Sequence, residues 1–150
     1  MEITRASAED TKEILALQKL AYQGESQLYD GYPIPPLTES TDEIREKFRN
    51  HLFLKATEGG RIVGSVRVLE ENGTCYIGRL MVHPDFRKRG IGTQLLSEVE
   101  RRFSFCRRFE LFTGDRSAGN IRLYKRLGYK AFKVGEQAGD VKLVYFEKTR

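Results

Sequence analysis

A basic, glycine-containing segment at residues 87–93 has the composition of an anion-binding loop. It reads RKRGIGT and lies between an apolar segment, Leu80-Met81-Val82, and the start of a helical pattern. Glycines let a backbone approach a ligand closely, and free N–H groups at a helix N-terminus favour negative charge. The segment is neither a Walker loop, because Gly-Lys-Ser/Thr is missing, nor the dinucleotide pattern Gly-x-Gly-x-x-Gly. A tight turn with exposed basic side chains is the alternative interpretation.

The cysteines offer little chemistry by comparison. Cys75 and Cys106 are the only two in the chain, and they show no CxxC spacing and no disulfide framework. We therefore expect reduced, buried thiols and no metal centre.

Residues 24–37, GESQLYDGYPIPPL, form the most irregular stretch of the chain. Two glycines and three prolines argue against regular structure over much of it. Tyr22, Tyr29 and Tyr32 lie in or beside this stretch. Its apolar residues favour an ordered loop, and a loop with this composition is usually functional.

Hydrophobic periodicity predicts the element order β-α-α-β-β-β-α-β-α-β-β. The first helix should begin after Ser7 and end near Gln23-Gly24, and residues 40–43 repeat the capping-box pattern of a helix start. Residues 53–82 should form a three-stranded antiparallel meander, because Asn72-Gly73 is a strong hairpin signal. A long amphipathic helix should follow the basic loop.

Length and composition indicate one domain spanning residues 1–150. Apolar runs are too short for an integral membrane protein, and the N-terminus lacks a signal-peptide pattern, so we expect a cytoplasmic protein. Residues 1–82 carry 10 Lys/Arg and 13 Asp/Glu, whereas residues 83–150 carry 16 and 8. The basic half indicates a polyanionic partner, which could be a nucleic acid, an acidic membrane or a phosphorylated cofactor.

Two motifs resemble those of a known family. The first, residues 82–96, reads VHPDFRKRGIGTQLL and resembles the Arg/Gln-x-x-Gly-x-Gly/Ala acetyl-CoA motif of the GNAT N-acetyltransferases. The second, residues 120–129, reads NIRLYKRLGY and resembles the family's Asn, then Tyr four residues later, then Leu-Gly-Phe/Tyr. The element order is similar to the GNAT fold as well. The resemblance implies an α/β (α+β) fold with a mixed central sheet of about six or seven strands and about four helices.

The same resemblance implies how acetyl-CoA (coenzyme A) would bind as the cofactor. The strand Ile77 to Val82 would splay from Phe109 to Thr113 and admit the pantetheine arm, while the loop N–H groups would hold the pyrophosphate. Arg87 could instead reach the ribose 3′-phosphate. The implied cofactor-binding residues are Leu80, Met81, Val82, Arg87, Lys88, Arg89, Gly90, Ile91, Gly92, Thr93, Asn120 and Tyr124.

The implied reaction is direct transfer of the acetyl group to a primary amine in a ternary complex. A backbone N–H near Val82 would stabilise the developing oxyanion. Tyr124 is the candidate general acid, because a phenol of pKa ~10 in close contact can donate its proton to a thiolate. The alternative for Tyr124 is a core-facing aromatic.

The general base stays unassigned. Many GNAT enzymes carry a glutamate on the strand before the loop, but residues 74–82 contain no acid. Glu70, Glu71 and Asp115 could act through water, although Glu70 and Glu71 are more simply turn residues. His83 is expected to be structural.

The acceptor would be a small-molecule or peptide amine bound against the loop from Tyr22 to Thr38. Glu25 and Asp30 in this region, with Glu39 directly after it, would suit a cationic amine. The candidate substrate-binding residues are Tyr22, Tyr29, Tyr32 and Asp30.

Two rival functions remain. A nucleic-acid-binding domain could use Arg101-Arg102 and Arg107-Arg108, but no nucleic-acid motif accompanies them, so we predict no such partner. The second rival is a non-catalytic acyl-CoA sensor, and the missing strand glutamate is its best support. We also predict no membrane association, and a homodimer through sheet edges or the last strand stays open.

Overall fold

The structure, a computed structural model, describes residues 1–137 and 139–150. These residues form one seven-stranded sheet and five α-helices. The strands are β1 (Glu2–Arg5), β2 (Leu52–Glu58), β3 (Arg61–Glu71), β4 (Thr74–Val82), β5 (Arg108–Gly114), β6 (Lys130–Glu136) and β7 (Lys142–Thr149). The helices are α1 (Thr11–Gln27), α2 (Pro35–Thr38), α3 (Thr41–Lys47), α4 (Ile91–Arg102) and α5 (Ala118–Arg126). The predicted order is confirmed, with α2 as one additional short helix.

The sheet runs in the order β1-β2-β3-β4-β5-β7-β6. All neighbours are antiparallel except β4 and β5, which are parallel. The predicted hairpin joins β3 to β4, where Asn72 and Gly73 have φ values of 53° and 85°. Positive φ at both positions is what a two-residue type I′ turn requires. Because one strand pair is parallel and the others are antiparallel, the predicted mixed sheet is confirmed.

Apolar side chains pack helices onto both faces of the sheet. On one face α1 and α3 bury Ile14, Leu17 and Ile44, in a cluster that includes Phe53 of β2. On the other face α4 buries Leu95, Leu96 and Val99 in the main core, together with strand residues such as Phe109. The helical spacing of these positions explains why each helix has one apolar side.

Strands β4 and β5 pair over only three positions and then separate. The paired residues are Thr74 with Arg108, Cys75 with Phe109, and Tyr76 with Glu110. Beyond Tyr76 no pairing between these strands is present in the described part of the chain. The backbone groups that face the gap are thus available to a ligand, as the family resemblance implies.

A β-bulge in β4 accompanies this separation. The β3–β4 register shifts between Ser65, which faces Met81, and Arg67, which faces Gly78. Two residues of β4, Arg79 and Leu80, therefore lie opposite the single residue between them in β3. Arg79 has a φ of 50°, an uncommon conformation for a side-chain-bearing residue. Such bulges bend the strand and interrupt pairing.

The end of α1 differs from the prediction. The helix was expected to stop near Gln23-Gly24, but it continues to Gln27. A glycine inside a helix costs only about 1 kcal/mol, and tertiary contacts outweigh that cost. Ser26 Oγ donates to the carbonyl of Tyr32 at 2.7 Å, and Glu25 accepts a hydrogen bond from Asn120 of α5. The irregular stretch is consequently shorter, and α2 begins with Pro35 at its first position, where proline is favourable.

Both thiols are free and buried. Burial raises the pKa of Cys75 to about 12 and also raises the pKa of Cys106. Neither thiol has the lowered pKa of an activated nucleophile. Among the described residues, none of the helices has the length and apolar character needed to cross a membrane.

Candidate active site

A groove runs between the C-terminal half of α1, the loop before α4 and the start of α5. Its empty volume is about 1540 Å³, including the part open to solvent. Most of the predicted cofactor-binding residues line this groove, namely Leu80, Met81, Val82, Arg87, Lys88, Gly90, Ile91, Gly92, Thr93 and Asn120. The tertiary structure therefore brings the two sequence motifs to one surface.

The loop before α4 presents backbone N–H groups to the groove. Lys88 and Gly90 have positive φ values of 63° and 78°. The first intrahelical bond of α4 runs from the N–H of Gln94 to the carbonyl of Gly90 at 3.0 Å. The N–H groups of residues 91–93 precede that bond and have no partner one turn earlier in the helix. This end of α4 can bind an anion such as a pyrophosphate.

Some basic side chains around the loop line the groove, whereas Arg89 does not. Arg87 lines the groove, and its guanidinium donates to the carbonyl of Ala21 at 3.0 Å, which ties the loop to α1. Arg89 is not among the lining residues, and its guanidinium stacks on Phe86 at 4.8 Å from the ring centroid.

Arg116 and Arg126 also line the groove, although the sequence did not point to them. Their only signal in the sequence is positive charge, just before the second motif for Arg116 and within it for Arg126.

A second cavity, the acceptor cleft, lies between the separating strands β4 and β5. Its empty volume is about 750 Å³, and it is closed on one side by Ile34 and Pro36 and on another by Val141 and Leu143. It shares four lining residues with the groove, Tyr22, Glu25, Leu80 and Asn120. The two cavities therefore meet at these four residues.

Tyr124 combines the two interpretations of its role. Its ring packs in the core, 5.6 Å from the ring of Phe146 and 6.3 Å from that of Tyr129, measured between centroids. Tyr124 also lines the acceptor cleft, although the residue as a whole is buried. Burial raises its pKa well above the usual value, so the phenol stays protonated. A protonated hydroxyl beside the cleft can act as a proton donor.

Glu25 is a site residue that sequence reasoning did not assign as a base. Its carboxylate accepts a hydrogen bond from Ser117 Oγ at 2.9 Å and a longer one from Asn120 Nδ2 at 3.4 Å. Asn120 also contacts Thr113 Oγ1 at 3.2 Å. The second Glu25 oxygen has no partner among the described residues. Glu25 is in α1, whereas the family pattern places a glutamate on β4. Its position at the site is therefore visible only in the tertiary structure.

Two of the four candidate substrate residues line the acceptor cleft. Tyr22 donates from its hydroxyl to the Leu80 carbonyl at 3.2 Å, and burial raises its pKa to about 12. Tyr29 is buried and donates to Asp115 Oδ1 at 2.7 Å. This bond occupies Asp115, which sequence reasoning considered as a base. Both hydroxyls are bound to the protein, so these tyrosines shape the cleft.

The other two candidates lie elsewhere. Tyr32 packs its ring against Gly139, where an added Cβ would lie 2.7 Å from Tyr32 Cε2. Asp30 is exposed in a turn with a φ of 56°. Neither is among the residues described as lining the cleft. Their predicted substrate contacts have no support in the geometry.

Glu39 is held in a buried charge cluster beside the acceptor cleft. Arg67 binds it with two guanidinium nitrogens, at 3.2 and 2.9 Å. Gln18 Nε2 donates to it at 2.9 Å, and Arg79 Nε at 3.3 Å. Burial alone would raise the pKa of Glu39, but the hydrogen bonds from Arg67 and Gln18 and the charge of Arg79 lower it. Its negative charge is therefore more than balanced locally, and it does not make the cleft acidic.

Two further residues have structural contacts. Glu70 accepts the backbone N–H of Gly73 at 3.0 Å, as its turn interpretation predicts. His83 is buried, and its Nδ1 accepts the backbone N–H of Asp85 at 3.1 Å. These contacts leave Glu25 as the carboxylate that lines both cavities within the described residues.

Two known proteins illustrate what this chain is similar to in sequence. The chain is 37% identical over 102 residues to an acetyltransferase of Pectobacterium atrosepticum, covering 63% of this chain and 70% of that protein. It is 27% identical over 135 residues to the UPF0157 protein YqkA of Bacillus subtilis, covering 90% of this chain but spanning only 39% of that protein's length.

Solved structures show the same fold at low identity. The PaiA N-acetyltransferase of Thermoplasma acidophilum, in complex with coenzyme A, has a TM-score of 0.81 at 18% identity, covering 99% of this chain and 98% of that one. The ribosomal-protein-S18-alanine N-acetyltransferase of Escherichia coli has a TM-score of 0.81 at 15% identity, covering 99% and 92%. The family model described as "Acetyltransferase (GNAT) family" matches residues 13–129. The chain therefore belongs to the GNAT acetyltransferase family.

Proposed function

We propose that the protein is an N-acetyltransferase that moves an acetyl group from acetyl-CoA to a primary amine by direct attack. The observation that carries this proposal is the meeting of an anion-binding groove with a cleft between separating strands. The groove suits a long phosphorylated cofactor, and the cleft suits the acceptor. The PaiA relative in complex with coenzyme A supports this choice of cofactor.

The residues of the groove fit coenzyme A. The unpaired N–H groups at the start of α4 would hold the pyrophosphate, assisted by Lys88 and Thr93. Arg116 and Arg126 offer further positive charge for phosphate groups. The unpaired edge of β4 would face the pantetheine arm, which supplies the acetyl thioester when the cofactor is bound.

Four groups of the chain would carry the chemistry. Glu25 would hold the amine at the junction of the cavities and accept its proton, directly or through water. A backbone N–H of β4 after the bulge, near Val82, would stabilise negative charge on the acetyl carbonyl oxygen. Tyr124 would donate its proton to the departing sulfur as the C–S bond breaks and the C–N bond forms. Tyr22, bonded to Leu80, would fix the wall between the cavities.

The nucleic-acid alternative is weakened in part by ion pairs. Arg108 pairs with Glu110 and Glu147, each at 2.8 Å. Arg101 and Arg102 share the single carboxylate of Glu98, so one positive charge stays in excess there. The sensor alternative is weakened by Glu25, which supplies the carboxylate that the strand lacks.

Calorimetry of acetyl-CoA binding with Thr93→Glu and Thr93→Gln tests the proposal. Thr93 is the third residue of α4, where glutamate is favourable for the helix, so both variants should fold. Two like charges about 5 Å apart repel by about 3 kcal/mol at an effective dielectric constant of about 20. We therefore expect Thr93→Glu to bind about a hundredfold more weakly than Thr93→Gln. Equal affinities of the two variants, or no binding by the unmodified protein, would refute the cofactor assignment.

Turnover is measured with the same proteins by release of free thiol from acetyl-CoA over a panel of amines. Acetyl transfer is supported if thiol release requires an added amine. Release should also be slower in Thr93→Glu, which binds acetyl-CoA more weakly, than in Thr93→Gln. Binding without release over the whole panel would favour the sensor function instead.

A further inference from the structure

The acceptor cleft has one negative and one positive lining residue. Among the described residues that line it, Glu25 and Arg79 are the only charged ones. The remaining lining residues are apolar, aromatic or uncharged polar groups. A cleft with this pair of charges complements a molecule that has one group of each sign.

The two charges lie in a defined order relative to the cofactor groove. Glu25 lines both the groove and the cleft, so it lies where they meet. Arg79 lines the cleft and is not among the lining residues of the groove. An acceptor with its amine at Glu25 therefore has its anionic group towards Arg79, away from the acetyl group.

Arg79 has unused capacity to bind an anion. Its Nε contacts Glu39, but Arg67 already binds both carboxylate oxygens of Glu39. Two guanidiniums thus face one carboxylate, which leaves one positive charge in excess. The two terminal nitrogens of Arg79 have no hydrogen-bond partner within residues 1–137 and 139–150, and 17% of its side chain is exposed.

The backbone of Arg79 also points to a functional position. It lies in the β4 bulge with a φ of 50°, a conformation that costs energy for a side-chain-bearing residue. The bulge directs this residue to the cleft at the point where the strands separate. A guanidinium with free terminal nitrogens binds a carboxylate with two parallel hydrogen bonds.

We infer that the acceptor is a small amino carboxylate, such as an amino acid, whose amine lies at Glu25 and whose carboxylate binds Arg79. This inference rests on the proposed acetyl transfer and assigns its substrate class. It differs from the cationic amine that Glu25, Asp30 and Glu39 together suggest, because Asp30 does not line the cleft and Glu39 is neutralised.

Matched acceptors test the inference in the unmodified protein. Alanine, leucine and phenylalanine are each compared with their amides and with their decarboxylated amines, by thiol release from acetyl-CoA. The amide stands for a peptide N-terminus and the amine for a cationic acceptor. We expect kcat/KM to be at least about tenfold higher for the carboxylate in the best series, equivalent to about 1.4 kcal/mol.

Arg79→Gln and the control Arg49→Gln then locate the preference. Each removes one positive charge, but Arg49 is exposed on the surface and pairs only with Glu46 at 3.3 Å among the described residues. Arg79→Gln should abolish the carboxylate preference through KM and leave acetyl-CoA affinity unchanged, whereas Arg49→Gln should change neither. Calorimetry of the N-acetyl amino acids and their amides, with coenzyme A present, measures the same preference without turnover.

Each other result overturns the inference. A preference for the amide would indicate a peptide acceptor, and a preference for the amine a cationic one. Equal use or equal binding of all three, or a preference that Arg79→Gln does not change, would also refute it. Failure of acetyl-CoA to bind at all would refute the proposed function, whereas binding without a carboxylate preference refutes only the substrate class.

Discussion

Replacement of Tyr124 by phenylalanine separates packing from proton transfer. The ring contacts with Phe146 and Tyr129 remain, because only the hydroxyl is removed. That hydroxyl has no hydrogen-bond partner among the described residues. We therefore expect the free energy of unfolding to change by less than about 1 kcal/mol, while kcat falls by about 10²- to 10⁴-fold if Tyr124 is the general acid.

Tyr129→Phe is the matched control. Tyr129 is also buried and lies beside Tyr124, but its hydroxyl donates to Glu100 Oε2 at 2.9 Å. Loss of a hydrogen bond to a carboxylate costs about 1.5–3 kcal/mol, which lowers Tm by about 3–12 °C in a chain of this size. Since Tyr129 is not among the residues described as lining either cavity, kcat should stay close to that of the unmodified protein.

The assay is thiol release at saturating acetyl-CoA, together with Tm and acetyl-CoA affinity for each variant. Because burial raises the pKa of Tyr124, ionisation of this phenol should cause no loss of activity in the unmodified protein up to about pH 10. The reasoning would be refuted if Tyr124→Phe kept a kcat within about threefold of the unmodified value with acetyl-CoA binding intact. Equal losses of activity in both variants would indicate a packing effect instead.

Two further predictions concern the carboxylates. Glu39→Gln leaves Arg67 buried without its counter-charge, so we expect a loss of about 3–5 kcal/mol of stability, or a Tm lower by about 6–20 °C. The pKa of Glu39 is lowered in the folded state. Its contribution to the free energy of unfolding is therefore present above the unfolded pKa of about 4.3 and is lost as pH falls through the folded pKa. The Tm values of the two proteins should converge at low pH, and a Tm difference that does not change with pH would contradict the assignment. Glu25→Gln should lower kcat/KM about 10²- to 10⁴-fold at neutral pH, with partial recovery as pH approaches the amine pKa of about 10. A pH-rate profile parallel to that of the unmodified protein would exclude Glu25 as the proton acceptor.

The sequence alone determined the element order and predicted the anion-binding loop that lines the groove. Helix and strand periodicities are local properties, so the element order, the Asn72-Gly73 hairpin and the capped start of α3 followed from short stretches. The loop RKRGIGT was also recognisable locally, because glycines, positive charge and a helix start are contiguous. The end of α1 was not predictable in this way, since contacts of Glu25 with the distant α5 extend it past Gly24.

The acceptor side depended on contacts between residues distant in the chain. Glu25 and Asn120 are 95 positions apart, and Glu39 and Arg79 are 40 apart. A charge on a surface loop and a charge neutralised by two buried arginines look the same in sequence, so Asp30 and Glu39 suggested an acidic site that the fold does not form. Only the packing of α1, α2 and the bulged β4 around one cleft decides which charges an acceptor meets, because burial and pairing are properties of the tertiary structure.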